Sequence, residues 1–435
     1  MKIKNILREI VVKIITFEAR LVLKRYNPKI IAVTGSVGKT STKDAIYTIM
    51  SGFFNTRKSE KSFNSEIGLP LTILGCKNAW NNPILWSWNI LKGFWLIIFP
   101  HNYPDWLILE VGADKPGDIR SVSEWLKTDV VVVTRIAEIP VHIEKFKDQK
   151  EVVKEKGYLI KTLKNNGVLI LNNDDPSIIK FKDKTKNKVI TFGFEKDSNI
   201  MASNYHIVYE DGVGSVLPHG IAFKIDYLGS NVPVRLNNIF GKQNVYTALA
   251  AFSAGSSQGL NLLKMIEVLR EHSGPPGRFR PLKGIKGTII IDDTYNSSPV
   301  ALEMAIQSFS EIKSSGKKIA VLGDMLELGI HTEDAHIKIG EQIPSVFDML
   351  VTVGERARFF EDGARKEGMK KENIFHFEDS FTCGQFVESV LSQGDAVLIK
   401  GSQGIRMEKV VYAVVSDEEK MPSKLVRQED EWKKR

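Results

Sequence analysis

The chain has 435 residues, more than one ordinary hydrophobic core holds, so two or three domains are expected. Hydrophobic residues make up 43% and charged residues 26%, which excludes a disordered, collagen-like or multi-span membrane chain. With 60 Lys and Arg against 52 Asp and Glu, the net charge of +8 is a mild basic bias. It suits an anionic substrate or a membrane surface and gives no reason to expect nucleic acid. The two cysteines, Cys76 and Cys383, are far apart in sequence and can build neither a disulfide framework nor a thiolate zinc site. A reducing cytoplasm is the natural compartment.

Residues 1–28 are basic and apolar. Leu7, Ile10, Ile14, Phe17 and Leu21 recur at steps of three and four, which predicts an amphipathic helix. Glu9 and Glu18 interrupt the apolar run and no small-residue cleavage site follows, so it is no signal peptide. The helix is read as packed on the next domain; its Lys/Arg-rich face makes a membrane-surface helix the alternative. Further on, KIIAVTG, WLILEVGAD, DVVVVTRI and GVLILNND are short apolar strands with polar C-terminal ends, separated by helical stretches. Such alternation predicts a mostly parallel sheet with ligands at the carboxyl ends of its strands.

The segment 81–106 interrupts this series. Its apolar run Ile84 to Phe99 contains Lys92 and is shorter than the ~20 residues of a spanning helix. A buried helix and an interfacial patch with tryptophans at headgroup level both fit. A second strand series, GTIIIDDTYN, KKIAVLGDM, DMLVTVG and DAVLIKGS, predicts a second α/β domain. The Gly- and Pro-rich stretch Gly274–Gly284 is the expected hinge, and the charged tail after Ser416 is expected to fray.

Residues 34–42, TGSVGKTST, follow the strand IIAV and precede a helix beginning near Lys43. Gly35 and Gly38 let the backbone curl so that N–H groups, with those of Ser36 and Ser41, face phosphates. Lys39 can reach the β- and γ-phosphates, the Thr40 hydroxyl can ligate Mg²⁺, and the helix N-terminus adds its dipole. The spacing is not the strict Walker pattern, since Val33 stands where the first glycine belongs.

From this loop onward the sequence resembles the Mur ligase family, in order along residues 29–415. The likeness runs through FNSEIGLP (63–70), LEVGADKPGDI (109–119), VHIE (141–144), KEKGYLI (154–160) and LNNDDP (171–176). It continues through FGKQNVYTALAA (240–251), GRFRP (277–281), DDTYNSSP (292–299), VLGDMLELG (321–329) and LIKGS (398–402). The last three are most similar to the branch that adds D-Ala-D-Ala to a UDP-muramoyl-tripeptide. Two departures stand out. Gln243 replaces the usual His before Asn244, and the loop lies only 34 residues in, where the family carries a UDP-binding domain ahead of it. That domain is expected to be absent, with the UDP end held in another way.

The resemblance implies an α/β fold: an N-terminal helical extension (1–28), a P-loop central ATPase domain (29–283) and a C-terminal Rossmann-like α/β domain with its tail (284–435). It implies an ATP- and Mg²⁺-dependent ligase of peptidoglycan precursor synthesis, which phosphorylates a carboxylate and lets an amine displace the phosphate. Its substrates would be a UDP-muramoyl-peptide and D-Ala-D-Ala. A monomer is expected, in the cytoplasm, with peripheral membrane contact. The alternatives are a relative with a folate-type or pseudomurein-type acceptor and a non-catalytic nucleotide-binding scaffold. By resemblance Thr40, Glu110, His142 and Lys156 hold the metal, Lys156 as a carbamate with Lys154 its nearest competitor. Asn244, Arg278 and Asp293 would contact adenine, phosphates and ribose. Asn64, Glu66, Tyr295, Asn296, Lys400 and Ser402 would meet the substrates, with Asp324 and Glu327 ordering a loop or touching the amine.

Overall fold

The computed structural model describes residues 2–60, 63–64, 66–80, 82–209, 218–428 and 432. The first sheet takes β1 (Lys29–Thr34), β2 (Thr56–Lys58), β3 (Trp106–Glu110), β4 (Thr128–Val133), β5 (Leu163–Asn172), β6 (Lys188–Gly193), β7 (Ile200–Tyr209), β8 (Pro218–Tyr227) and β9 (Ser230–Asn237). Their order is β2-β3-β1-β4-β5-β6-β7-β8-β9, parallel through β7 and antiparallel from β7 to β9. Strands β1, β3 and β4 are apolar on both faces because helices cover both sides, as parallel sheets require. Strands β7 to β9 alternate between buried and accessible positions instead.

The second sheet takes β10 (Arg280–Lys283), β11 (Ile289–Asp293), β12 (Lys318–Gly323), β13 (Met349–Val353), β14 (Ile374–Phe377) and β15 (Ala396–Lys400). Their order is β10-β11-β15-β12-β13-β14, with only β10 antiparallel. The second sheet thus begins at Arg280, ahead of residue 284.

Helix α1 (Lys2–Tyr26) packs on α3 (Gly68–Leu74) and α4 (Pro83–Ile98), which follow α2 (Lys39–Ser51). It does not pack through the stripe the sequence suggested. The buried face is Ile15, Glu18, Ala19 and Val22, and Ile10, Ile14 and Phe17 are exposed; the Leu7 side chain lies outside the described residues. The helix carries two apolar stripes, and the one with the small Ala19 allows closer approach to α4. There Gly93 leaves room for Glu18, whose carboxylate would lie 2.2 Å from an added Cβ. The Tyr26 hydroxyl donates to Leu96 O and Phe99 O, pinning the C-terminal ends of the two helices together. Asn82 caps α4 by accepting from the Ile84 and Leu85 amides.

The tail is also ordered further than expected. Leu425, Val426 and Arg427 are buried, and Arg427 pairs with Glu408 at 2.9 Å. The charged composition hid this short apolar anchor.

Candidate active site

Strand β1 delivers the phosphate loop to the carboxyl edge of the first sheet. Gly35 approaches β4 so closely that a Cβ would lie 2.0 Å from Thr134 Oγ1, and the Ser36 amide donates to Arg135 O at 2.6 Å. Gly38 has φ 82°, the left-handed region, and passes the chain into α2 at Lys39. Lys39 Nζ reaches back to Ser36 O at 3.4 Å. Burial lowers its pKa, with the nearby Glu110 charge opposing.

Glu110 ends β3 and is buried. Its Oε1 accepts from Asn64 Nδ2 at 3.2 Å, while Oε2 has no hydrogen-bond partner among the described residues. Gly112 makes this approach feasible, since a Cβ there would lie 2.8 Å from Asn64 Nδ2. Helix α5 (Asp118–Ser123) and helix α6 (Gln149–Gly157) flank the site. Glu155 of α6 accepts from the Ile119 and Arg120 amides at the start of α5, which fixes α6 in place. Its neighbour Lys156 points inward and donates to Gly35 O at 2.9 Å, whereas Lys154 is exposed. Burial first, then the Lys39 charge, pulls the Lys156 pKa down to about 7.

The second sheet closes over this corner. His142 lies with Nε2 3.3 Å from Asp114 and Nδ1 2.7 Å from Glu327, a residue of the other sheet's loops. Ser308 Oγ donates to Gln243 Oε1 at 2.7 Å across the same divide. The Arg278 guanidinium stacks 4.0 Å from the Tyr295 ring centroid, and its Nε is buried without a hydrogen-bond partner among the described residues. A cleft of about 720 Å³ results, lined by Ser36 to Thr40, Asn64, Glu110, His142 and Lys156 from one side and by Arg278, Tyr295, Asn296 and Ser402 from the other. A second cavity of about 1190 Å³ shares Thr40, Arg278, Tyr295, Gln403 and Trp432 with it.

Residues 33–86 and 90–255 match the family model of the Mur ligase middle domain, and residues 277–403 match that of the Mur ligase, glutamate ligase domain. The UDP-N-acetylmuramoyl-tripeptide–D-alanyl-D-alanine ligase of Bacillus subtilis is 30% identical over 399 residues, spanning 91% of this chain and 78% of that one. The chain belongs to the Mur ligase family. The ligase of the same name from Escherichia coli is 26% identical, over 89% of this chain and 76% of its own. In fold the chain is similar to MurF ligase from Thermotoga maritima in complex with ADP, with a TM-score of 0.75, 24% identity and coverage of 93% and 83%. MurF from Acinetobacter baumannii aligns with the same TM-score at 21% identity, over 92% of this chain and 79% of that one.

Not every residue singled out on the Mur ligase pattern reaches the cleft. Asp293 and Lys400 are buried against each other at 2.6 Å, and Asp293 also accepts from the Phe279 amide. Glu66 is exposed and lines neither cavity. Ser41 lies one residue beyond the lining of the cleft. The Asn244 amide donates to Phe240 O at 2.6 Å. Helical periodicity instead puts Gln243, Tyr246 and Thr247 on a small cavity behind the phosphate loop, with Asn172, Phe192 and Arg135. Asp324 orders its loop by accepting from the Ala357 amide at 2.8 Å. Asp114, Arg135 and Tyr246 carried no isolated signal in the sequence: they lie inside LEVGADKPGDI, DVVVVTRI and FGKQNVYTALAA, and only their places in the structure, Asp114 beside His142 and the other two on the small cavity, single them out.

Proposed function

We propose that this Mur ligase joins the terminal carboxylate of a UDP-muramoyl-tripeptide to the amine of D-alanyl-D-alanine, using ATP, in peptidoglycan precursor synthesis. The observation that carries the reading is one cleft holding a phosphate loop with Lys39, an unpartnered Glu110 oxygen, and Arg278, from the segment just before β10, facing them. Joining a carboxylate to a triphosphate brings like charges together, and this is the set of cations and acceptors that task needs.

In the first step a carboxylate oxygen forms a bond to the γ-phosphorus while the bond to the ADP oxygen breaks. Lys39 and Arg278 balance the charge that builds up on the phosphoryl oxygens. In the second step the amine attacks the acyl carbon, loses a proton, and phosphate leaves as the amide forms. Closure of the two sheets excludes water, which would otherwise hydrolyse the acyl phosphate.

Mg²⁺ fits the residues present. The lone Oε2 of Glu110 and the Thr40 hydroxyl line the same cleft and offer hard oxygen ligands, with phosphate and water oxygens to complete the shell. When bound, the ion would neutralise charge on the transferring phosphoryl group. His142, engaged by Asp114 and Glu327, is placed to act beside it. A Lys156 amine with its pKa at about 7 is partly neutral under cell conditions and can add to CO₂, releasing a proton and giving a carbamate.

The larger second cavity, with Lys58, Arg280, Tyr47 and Trp80 on its walls, has the charge and aromatic surface to take the muramoyl end. The reading places the reaction in the cytoplasm, where ATP is supplied, with the chain as a monomer. The peripheral membrane contact is proposed on separate grounds, from the α1–α4 face. Phosphate release from ATP with UDP-muramoyl-tripeptide plus D-Ala-D-Ala tests the assignment. Release dependent on both substrates is expected; release with neither pair member required, or none at all, would overturn it.

A further inference from the structure

Helix α4 is mostly apolar, with Ser87, Asn89 and Lys92 its polar residues. Inward it contributes Asn89, Gly93 and Leu96 to the domain. Outward it presents Ile84, Trp88, Leu91, Trp95 and Ile98, a stripe at alternating steps of four and three along its whole length. Ile84 is 77% exposed and Trp88 65%. Beside it α1 leaves Ile10, Ile14 and Phe17 outward, Phe17 at 62%. A monomer rarely leaves so much large apolar surface in water without a use for it.

The charge around this face is one-sided. Helix α4 has Lys92 and no acidic residue. On α1 the exposed Lys13, Arg20 and Lys24 form a row roughly 70° around the helix from the Ile10, Ile14 and Phe17 stripe, at about 100° per residue, with Glu9 the exposed acid. Glu18, the other acid on that helix, is buried. At about 24 Å, the 16 residues of α4 fall short of the ~30 Å hydrocarbon core. No helix among the described residues is long and apolar enough to cross a membrane. Tyr26 bonds α1 to the Leu96 carbonyl of α4, and Asn89 and Lys92 bond α4 to the Lys77 and Gly75 carbonyls of the domain, so the two helices form a fixed face.

We propose that the outward face of α1 and α4 docks on an anionic phospholipid bilayer, with both helices lying in the interfacial plane. The apolar stripes enter the headgroup–acyl boundary, the tryptophans sit at headgroup depth, and the basic row meets lipid phosphates. The inference goes beyond the ligase reading and does not depend on it.

Co-sedimentation of the full chain with phosphatidylcholine vesicles, with and without phosphatidylglycerol, tests it. Pelleting with the anionic vesicles is expected, weakening as salt is raised. Changing Lys13, Arg20 and Lys24 to Gln should lower partitioning on the order of a hundredfold, at about a factor of five per basic residue. A Trp88→Ser, Leu91→Ser, Trp95→Ser triple variant should lose binding while keeping its melting temperature and its phosphate release. No pelleting of the parent with anionic vesicles would overturn the proposal, as would equal pelleting with neutral ones or a triple variant that binds like the parent. Vesicle-free self-association abolished by the triple variant would assign the face to a second copy of the chain and overturn it too.

Discussion

Lys156, on the first sheet's side of the cleft, and Lys400, at the end of the second sheet's central strand, are both buried lysines, and their surroundings differ in kind. Lys400 meets the Asp293 carboxylate at 2.6 Å and the Asn296 carbonyl at 2.9 Å. Lys156 meets a backbone carbonyl and, among the described residues, makes no ion pair. Burial presses both toward the neutral amine. For Lys400 the attached carboxylate resists that pressure, and the pair ties β11 to β15. For Lys156 the pressure prevails, and its amine is available for chemistry at neutral pH. Burial alone therefore does not set the two lysines apart; burial without an ion-pair partner does, and that is what supports the role proposed for Lys156.

The largest effect should come from breaking the pair. Lys400→Met leaves the Asp293 carboxylate buried without its ion-pair partner, and unfolding by denaturant should show a loss of roughly 3–5 kcal/mol. A stability equal to the parent's would remove the contrast on which the comparison rests. Next, Lys39→Ala should slow phosphate release with a folded protein remaining, by roughly 3–4 kcal/mol in activation free energy. Activity within a few-fold of the parent would dismantle the nucleotide-site assignment.

Lys156→Met separates the two lysines most sharply. Turnover should fall about a hundredfold with ATP affinity little changed, while the melting temperature holds or rises, because a buried amine with no ion-pair partner has been removed. Labelled bicarbonate should give a carbamate carbon signal in the parent and none in the variant. A destabilised Lys156→Met that keeps its activity would reverse the assignment.

The smallest effect extends the comparison to an acid. Glu18 is buried against Gly93, and burial pushes its carboxyl up to about 7 from an ordinary 4.5. Cys76, after α3, feels the charges of both Glu18 and Lys92. Because the folded value is the higher one, the associated stability is full below the ordinary value and is lost as pH rises through about 7. Glu18→Gln should therefore raise the melting temperature by a few degrees at about pH 8 and leave it unchanged at about pH 5. The same shift at both would show that Glu18 is not titrating in its buried place.

These contrasts also explain what the sequence could and could not disclose. The phosphate loop was legible because Gly35, Gly38, Lys39 and Thr40 are contiguous and their chemistry is local. Lys156 could be chosen over Lys154 only by resemblance, and the structure separates them by the inward turn of α6. The pairing of Asp293 with Lys400 joins residues more than a hundred positions apart, and no local pattern encodes it. Helix α1 carries two apolar stripes, so periodicity gave its helical form and not its buried side. Strands β7 to β9 escaped notice because a half-buried antiparallel ribbon alternates, whereas the other strands of the sheet read as unbroken apolar runs. Asn244 and Gln243 are adjacent in sequence and a hundred degrees apart on their helix, which decides which of them meets a cavity.

The C-terminal tail changes how the cleft must be handled. Arg427 donates to the carbonyls of Thr294 and Tyr295, Val426 presses on Gly277, and Tyr295 in turn carries the Arg278 guanidinium. The tail is a clasp fastened from outside onto an arginine that lines the cleft, preceded by the exposed Met421, where a protease can reach. A single nick there would slacken Arg278 without altering any residue that lines the phosphate loop. On the role proposed for Arg278, such a protein would bind nucleotide and fail to turn over, an inactivation invisible to any inspection of the loop itself.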